Sequence, residues 1–137
     1  MIDTTKAVDT TKAYSSFATK DIEATRAFYA DKLGLDARSL YDGQLLELRL
    51  HDGMRVLVYP KDDFTPATYT VLNFPVADVE RAVDDLRRAG VTMERYEGFD
   101  QDERGIAHGN GNGPDIAWFK DPAGNILAVH SDEPPPA

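Results

Sequence analysis

Two stretches of this 137-residue chain carry the same order of apolar and polar positions. In the later stretch, apolar residues recur at the spacing of one buried helix face, at Val79, Ala82, Val83 and Leu86. Asp78 precedes this helix as an N-cap, and Gly90 ends it. In the earlier stretch Asp21 and Gly34 enclose a similar pattern, formed by Ile22, Thr25, Phe28, Tyr29 and Leu33. The chain therefore predicts two helices with matching ends.

Strand-like sequence lies on both sides of each helix. Strands are predicted at residues 14–19, 44–51, 54–59, 69–76, 91–97, 115–120 and 125–130. A strand, a capped helix and further strands, found twice, predict an α+β fold in which two βαβββ modules form a curved mixed sheet with a concave ligand cavity. The predicted boundaries are a flexible leader at 1–13, a first module at 14–60, a linker at 61–68, a second module at 69–130 and a disordered tail at 131–137.

Charge and composition narrow the range of partners. The chain has 24 acidic and 15 basic residues, a formal charge of −9, which disfavours nucleic acid and anionic membranes because phosphate binding needs a basic face. It has no cysteine, which excludes disulfides, thiolate metal sites and a cysteine nucleophile. No apolar run approaches the roughly 20 residues of a membrane span, and the first residues are polar, so a cytoplasmic location is expected.

Several short motifs resemble those of the vicinal oxygen chelate superfamily, which includes glyoxalase I, extradiol dioxygenases and the bleomycin and fosfomycin resistance proteins. The motifs are Asp21-Ile22-Glu23-Ala24, Phe28-Tyr29, Leu33-Gly34-Leu35, Val76-Ala77-Asp78-Val79-Glu80 and, most specific, Phe119-Lys120-Asp121-Pro122-Ala123-Gly124-Asn125. The resemblance covers residues 14–130. It implies the two-module fold but no single reaction, because such scaffolds host many activities. It also implies a homodimer, since relatives of this size usually pair their sheets and the open sheet edges need cover.

The resemblance also implies where a metal would bind. Metal-dependent members carry His, Gln or Glu at four strand positions, which correspond here to Tyr14, Leu57, Val71 and Ala128. None of these side chains is a good ligand for a divalent metal, which favours imidazole or carboxylate donors. The sequence therefore predicts a protein without metal or other cofactor. This prediction depends on strand register, because a shift of one residue exchanges the two faces.

The same alternation predicts a set of ligand-binding residues on the concave face. The set is Tyr14, Ser16, Arg55, Leu57, Tyr59, Tyr69, Val71, Asn73, Ile116, Trp118, Ala128 and His130. Phe119 is assigned to the helix-side core, opposite Trp118. A largely apolar and aromatic lining with a few polar groups is typical of a pocket for a flat, partly apolar molecule. The alternative is that these side chains fill the concavity or pack at a dimer interface.

Three histidines and one glycine-rich loop are further candidates for chemistry. His130 has the best claim to a general-base or ligand-bonding role, because it shares a face with Ala128. A noncanonical metal site formed by His108, His130 and a carboxylate such as Glu103 is an alternative. The loop at 105–114 lacks the Lys-Ser/Thr ending of a phosphate-binding loop and is predicted to be a lid or rim.

Three functions remain open at this point. The first is a metal-independent protein that binds or sequesters a partly aromatic metabolite or natural product. The second is a glyoxalase-like lyase or isomerase acting on a small metabolite with His130, Arg55 or a tyrosine. The third is a metal enzyme with displaced ligands. The small-molecule binding function ranks first because the lining is apolar and no catalytic constellation is visible.

Overall fold

Two aspartates begin the two helices as predicted. In the computed structural model, which describes residues 7–132, Asp21 Oδ1 accepts from the Ala24 N–H at 3.1 Å. Asp78 Oδ1 accepts from the Arg81 N–H, also at 3.1 Å. Each bond satisfies one of the N–H groups that a helix leaves unpaired at its start. The N-cap predictions are therefore confirmed.

The first module is a four-stranded sheet with one helical segment. Its elements are β1 (Ser15–Thr19), α1 (Ile22–Ala27) continued by a π-helical turn (Phe28–Lys32), β2 (Asp36–Leu40), β3 (Leu45–Arg49) and β4 (Arg55–Pro60). The strand order is β1-β4-β3-β2. β1 runs parallel to β4, and the other pairs are antiparallel. The hydrophobic pattern did not single out β2, whose position at the sheet edge leaves its alternation weak.

The second module repeats this plan with one strand missing. Its elements are β5 (Thr70–Val76), α2 (Val79–Arg88), β6 (Ile116–Lys120) and β7 (Ile126–Ser131), in the order β5-β7-β6. The strand predicted at 91–97 does not form, and Met93 makes only an isolated bridge to Phe119. The side chain of Gln101 explains the difference, because it bonds the Tyr96 N–H at 2.8 Å and the Glu94 carbonyl at 2.9 Å. These backbone groups are thus satisfied without a neighbouring strand.

One core lies on the helix face of both sheets and joins the modules. It is formed by buried apolar residues of both helical segments and of strands β3, β4, β6 and β7, among them Phe28, Tyr29, Leu46, Leu48, Val56, Val58, Val83, Leu86, Ala117, Phe119, Leu127 and Val129. The α+β class and the two-sheet architecture agree with the prediction.

The turn between β6 and β7 links the second module to the first. The Tyr29 hydroxyl donates to Asp121 Oδ2 at 2.9 Å, and Asn125 Nδ2 donates to the Ala18 carbonyl at 2.8 Å. Asp121 Oδ1 also accepts the backbone N–H groups of Ala123 and Asn125. The most specific motif of the sequence therefore has a structural role, since it closes its own turn and bonds to both the π-helical turn and β1.

The predicted chain ends are only partly described. Within the predicted leader, Thr10–Lys12 form one 3-10 turn with Asp9 as its cap, and residues 1–6 lie outside the described residues. β7 continues to Ser131, one residue beyond the predicted module boundary. Residues 133–137 of the predicted tail lie outside the described part of the chain.

Candidate functional site

The face of the sheets opposite the helices, which we call the open face, gathers the predicted residues of the first module. In the parallel pair of β1 and β4, Ser16 lies beside Leu57 and Ala18 beside Tyr59. The guanidinium of Arg55 lies over the ring of Tyr14, 4.7 Å from its centroid. Residues between them in the strands, such as Val56 and Val58, are buried in the core. The structure thus places Tyr14, Ser16, Arg55, Leu57 and Tyr59 together on the open face.

The second module shows the same separation of faces. Ile116 pairs with His130, and Trp118 pairs with Ala128, on adjacent antiparallel strands. Trp118, Ile126 and Ala128 form a cluster separate from the core that contains Phe119. The predicted register of β6 and β7 is therefore right, and Trp118 and Phe119 lie on opposite faces.

A β-bulge interrupts the alternation predicted for β5. The register shifts between Thr70 and Leu72, so Thr70 pairs with Ile126 on the open face. Val71, at the bulge, packs against the helix-side core and also lines a cleft beside Ser16 and Ala18. Strict alternation fails here because a bulge inserts one extra residue into the strand. After the bulge, Asn73 pairs with Ala128 as the alternation predicts.

Trp118 lies on the predicted face but is covered. Its side chain is 8% exposed, because Phe99 stands 4.9 Å away and Tyr96 stands 5.6 Å away, measured between ring centroids. Arg95 donates to the Gln101 and Asp102 carbonyls and so closes this loop from the other end. We call residues 95–101 the aromatic flap. No motif in the sequence indicates this flap, which precedes the loop at 105–114 that is predicted as a lid or rim.

The hydroxyl of Tyr96 is a buried polar atom without a partner among residues 7–132. Burial, with a smaller contribution from Glu94, raises the pKa of this tyrosine, so it stays protonated. A buried hydroxyl that lacks a hydrogen bond carries a cost. It is therefore available to bond a polar atom that enters beside Trp118.

Two clefts of about 500 Å³ each open on this face. The first lies between β1 and the linker and includes Ser16, Tyr59, Tyr69 and Thr70. The second lies at the aromatic flap and includes Tyr69, Thr70, Tyr96, Phe99 and Trp118. Tyr69 and Thr70 line both clefts. A ligand that crosses this boundary would contact residues of both modules.

Aromatic side chains are unusually exposed on the open face. Tyr14, Tyr59, Tyr69 and Phe99 are 51%, 40%, 69% and 55% exposed, respectively. They are four of the seven exposed large apolar side chains among residues 7–132. Exposed aromatic groups that cluster on one face are typical of an interaction site.

A charged cluster on the first module was not predicted. Glu47, only 5% exposed, accepts from Arg49 Nε at 2.7 Å and from Arg55 Nη1 at 3.1 Å. The hydrogen bonds of these two arginines lower the pKa of Glu47, which keeps it ionised. The alternation rule places Glu47 and Arg49 on the open face once it is applied to β3, because Leu46 and Leu48 are core residues.

The three histidines differ in their surroundings. His51 is exposed at a hairpin and contacts Asp52. His108 stands between two carboxylates, 2.7 Å from Asp102 Oδ2 and 3.5 Å from Asp115 Oδ2. The hydrogen bond to Asp102 raises the pKa of His108.

His130 contributes a different group to the open face. Its Nδ1 lies 2.8 Å from the Ser131 carbonyl oxygen. A carbonyl only accepts, so this ring nitrogen carries the proton, which leaves Nε2 as the nitrogen that can accept.

The open face does not fit a divalent metal of the kind that the resemblance implies. The four positions hold Tyr14, Leu57, Ala128 and, at the bulge, Val71, none with an imidazole or carboxylate. The nearby carboxylate of Glu47 is already bonded to two arginines. Among residues 7–132, no group of three or more His, Asp or Glu side chains is arranged to hold a metal ion. His108 and His130 accordingly do not form a cluster with Glu103.

Comparison with known proteins agrees with this architecture. The family model of the Glyoxalase/Bleomycin resistance protein/Dioxygenase superfamily matches residues 11–129. No protein among the curated ones matches the chain. Among residues 7–132, no helix is both long and apolar enough to cross a membrane.

Three solved structures illustrate the fold. A glyoxalase/dioxygenase from Nostoc punctiforme is 14% identical, with a TM-score of 0.64 over 98% of this chain and 100% of that one. A glyoxalase family protein from Enterococcus faecalis is 22% identical, with a TM-score of 0.62 over 86% of this chain and 94% of that one. A lactoylglutathione lyase from Agrobacterium tumefaciens is 21% identical, with a TM-score of 0.59 over 88% and 94%. At these identities the similarity establishes the fold alone.

Proposed function

We propose that this chain, which belongs to the Glyoxalase/Bleomycin resistance protein/Dioxygenase superfamily, binds a partly aromatic small molecule on its open face without using a metal ion. The exposed aromatic side chains carry the proposal. Tyr59 and Tyr69 border one cleft, and Tyr69 and Phe99 border the other. Aromatic rings bury large areas and stack on flat partners, so this face suits a planar ligand.

Polar groups on the same face could fix the orientation of a bound ligand. Ser16 and Thr70 present hydroxyl groups in the first cleft. The unpartnered Tyr96 hydroxyl and the Nε2 of His130 supply further bonding positions in the second module. A few polar groups in an apolar lining fix the orientation of a ligand and give specificity.

Fluorescence titration tests the proposal. A library of planar aromatic compounds is titrated against the protein, and the emission of Trp118, the only tryptophan, reports occupancy of the open face. Tyr69→Ala removes a ring that borders both clefts, so it should weaken binding of any hit about tenfold. Tyr41→Ala is the matched control, because Tyr41 is equally exposed but lies in the β2–β3 turn. Equal effects of the two substitutions would refute the proposed site.

A glyoxalase-like lyase or isomerase is the second candidate. The observation that favours it is the His130 geometry, since the bond from Nδ1 to the Ser131 carbonyl leaves Nε2 as the nitrogen that can act as a general base. In that case turnover of a small carbonyl substrate should follow a histidine-like titration and fall at least 100-fold in His130→Gln. Tight binding without turnover, unaffected by His130→Gln, would decide for the binding protein.

We also propose that the protein is a homodimer and is located in the cytoplasm. β2 ends its sheet, and its outer side has no strand partner within residues 7–132, which favours pairing with a second copy. Light scattering should give about twice the 15.2 kDa chain mass, and a monomer at micromolar concentration would contradict the dimer. Cell fractionation tests the location.

A further inference from the structure

Two arginines of the open face oppose each other directly. Arg49 on β3 pairs with Arg55 on β4, and like charges at directly opposed strand positions destabilise a sheet. Glu47 offsets part of this repulsion, because it accepts one hydrogen bond from each arginine. One carboxylate neutralises only one of the two positive charges. A local arrangement that works against stability is often found at a functional site.

The neighbouring charges do not remove the excess. Arg38 forms two bonds with Asp36, at 3.1 and 3.2 Å, and so carries its own counter-ion. Asp36 also lies opposite Arg49 on the neighbouring strand, so Arg38, Arg49 and Arg55 share two carboxylates, Asp36 and Glu47. This cluster keeps one positive charge, although the whole chain carries −9. The first module therefore offers an anion a favourable position.

The guanidinium groups of Arg49 and Arg55 are partly exposed to solvent and are held in place by their neighbours. The side chains of Arg49 and Arg55 are 49% and 45% exposed, whereas that of Glu47 is 7% exposed. Each arginine gives one N–H to Glu47, and its remaining donors have no acceptor within residues 7–132. The ring of Tyr14 lies against the Arg55 guanidinium. Held guanidinium forks match the planar oxygens of a carboxylate or phosphate.

We infer that Arg49 and Arg55 bind the carboxylate or phosphate group of a small organic anion. Resting on the proposed function, this makes the ligand an aromatic acid. Leu57 lies two residues along β4 on the same face, roughly 7 Å from Arg55, which is about the span of a benzene ring. The apolar part of the acid then extends over Leu57 toward Tyr59, which borders the first cleft together with Tyr69.

The anion site is tested first without any aromatic group. Acetate and inorganic phosphate are titrated at constant ionic strength against chloride, and the Nε–H resonances of the arginine side chains are followed by NMR. Those of Arg49 and Arg55 should move saturably, whereas that of Arg26 should not, since it pairs with Glu23 on α1. The tighter of the two probes identifies carboxylate or phosphate as the preferred group. Identical, non-saturating shifts at all three arginines would overturn the inference.

Benzoate and its neutral analogue benzamide test the aromatic acid. Benzoate should bind about tenfold more tightly, the usual effect of a charge-assisted bond. Arg55→Gln and Arg49→Gln should each abolish this preference, and Arg26→Gln should preserve it. No benzoate binding would overturn the aromatic-acid assignment.

The two proposals can fail separately. If both compounds bind equally and Tyr69→Ala weakens both, the anion site is wrong and the proposed function stands. If acetate or phosphate saturates Arg49 and Arg55 while Tyr69→Ala leaves aromatic binding unchanged, the anion site stands and the proposed function is wrong.

Discussion

Removal of the Phe99 ring should uncover Trp118. Phe99 contacts Trp118 at a centroid distance of 4.9 Å and an interplanar angle of 56°, and Phe99 itself is 55% exposed. The ring pair contributes about 0.5–1.5 kcal/mol beyond burial. The buried part of Phe99, slightly less than half, adds about 1 kcal/mol. Phe99→Ala should therefore destabilise the closed aromatic flap by about 1.5–2.5 kcal/mol, which raises the open population roughly 10- to 70-fold.

The assay uses the single tryptophan. In Phe99→Ala the emission maximum should shift to longer wavelength, and acrylamide should quench Trp118 more efficiently. Tyr41→Ala should change neither property, because Tyr41 lies in the β2–β3 turn. The free energy of global unfolding should fall by less than the free energy of flap opening, since Gln101 and Arg95 still hold the loop. Unchanged emission and quenching in Phe99→Ala would show that Phe99 does not cover Trp118.

Three further predictions concern the junction, the glycine-rich loop and metal content. Burial raises the pKa of Asp121, and the hydrogen bond from Tyr29 counteracts this rise. Tyr29→Phe removes that buried bond, so the free energy of unfolding should fall by about 1–2 kcal/mol. This loss should be larger at pH 7 than at a pH below the folded pKa of Asp121, as denaturant titrations at the two pH values will show. The pKa of His108 is raised by its contact with Asp102, so the stability it adds should be present at pH 6 and decline as the pH rises through the folded pKa. His108→Gln should remove this pH dependence from the unfolding curve. Elemental analysis of protein purified without chelator should find no stoichiometric divalent metal, and one equivalent would refute the assignment of the open face.

Local chemistry made much of the fold predictable from the sequence. Asp21 and Asp78 act as caps because a carboxylate can reach the N–H three residues later. The opposite faces of Trp118 and Phe119 follow from strand alternation, fixed in register by the turn after them. These predictions depend on neighbouring residues alone, which is why they succeed.

The predictions of strands and site residues fail where contacts between distant residues, or local irregularities, determine the structure. Val71 packs against the core as well as lining a cleft, because of a bulge that no local pattern announces. Residues 94–96 lack a strand because the Gln101 side chain bonds their backbone. Glu47 was overlooked because a charged residue on a strand is usually solvated, whereas here two arginines bury it.

Equivalent positions of the two modules have acquired different chemistry. In the first module Leu57 on the last strand pairs with Glu47, and in the second module Ala128 on the last strand pairs with Trp118. The same topological place thus holds an ion-paired carboxylate on one side and a large ring on the other. Since both pairs lie on the open face, the proposed ligand would meet a charged half and an apolar half. Under the proposed function, an aromatic acid would bind with its acidic group on the first module and its apolar part toward the second, an orientation that a symmetric duplication would not have distinguished.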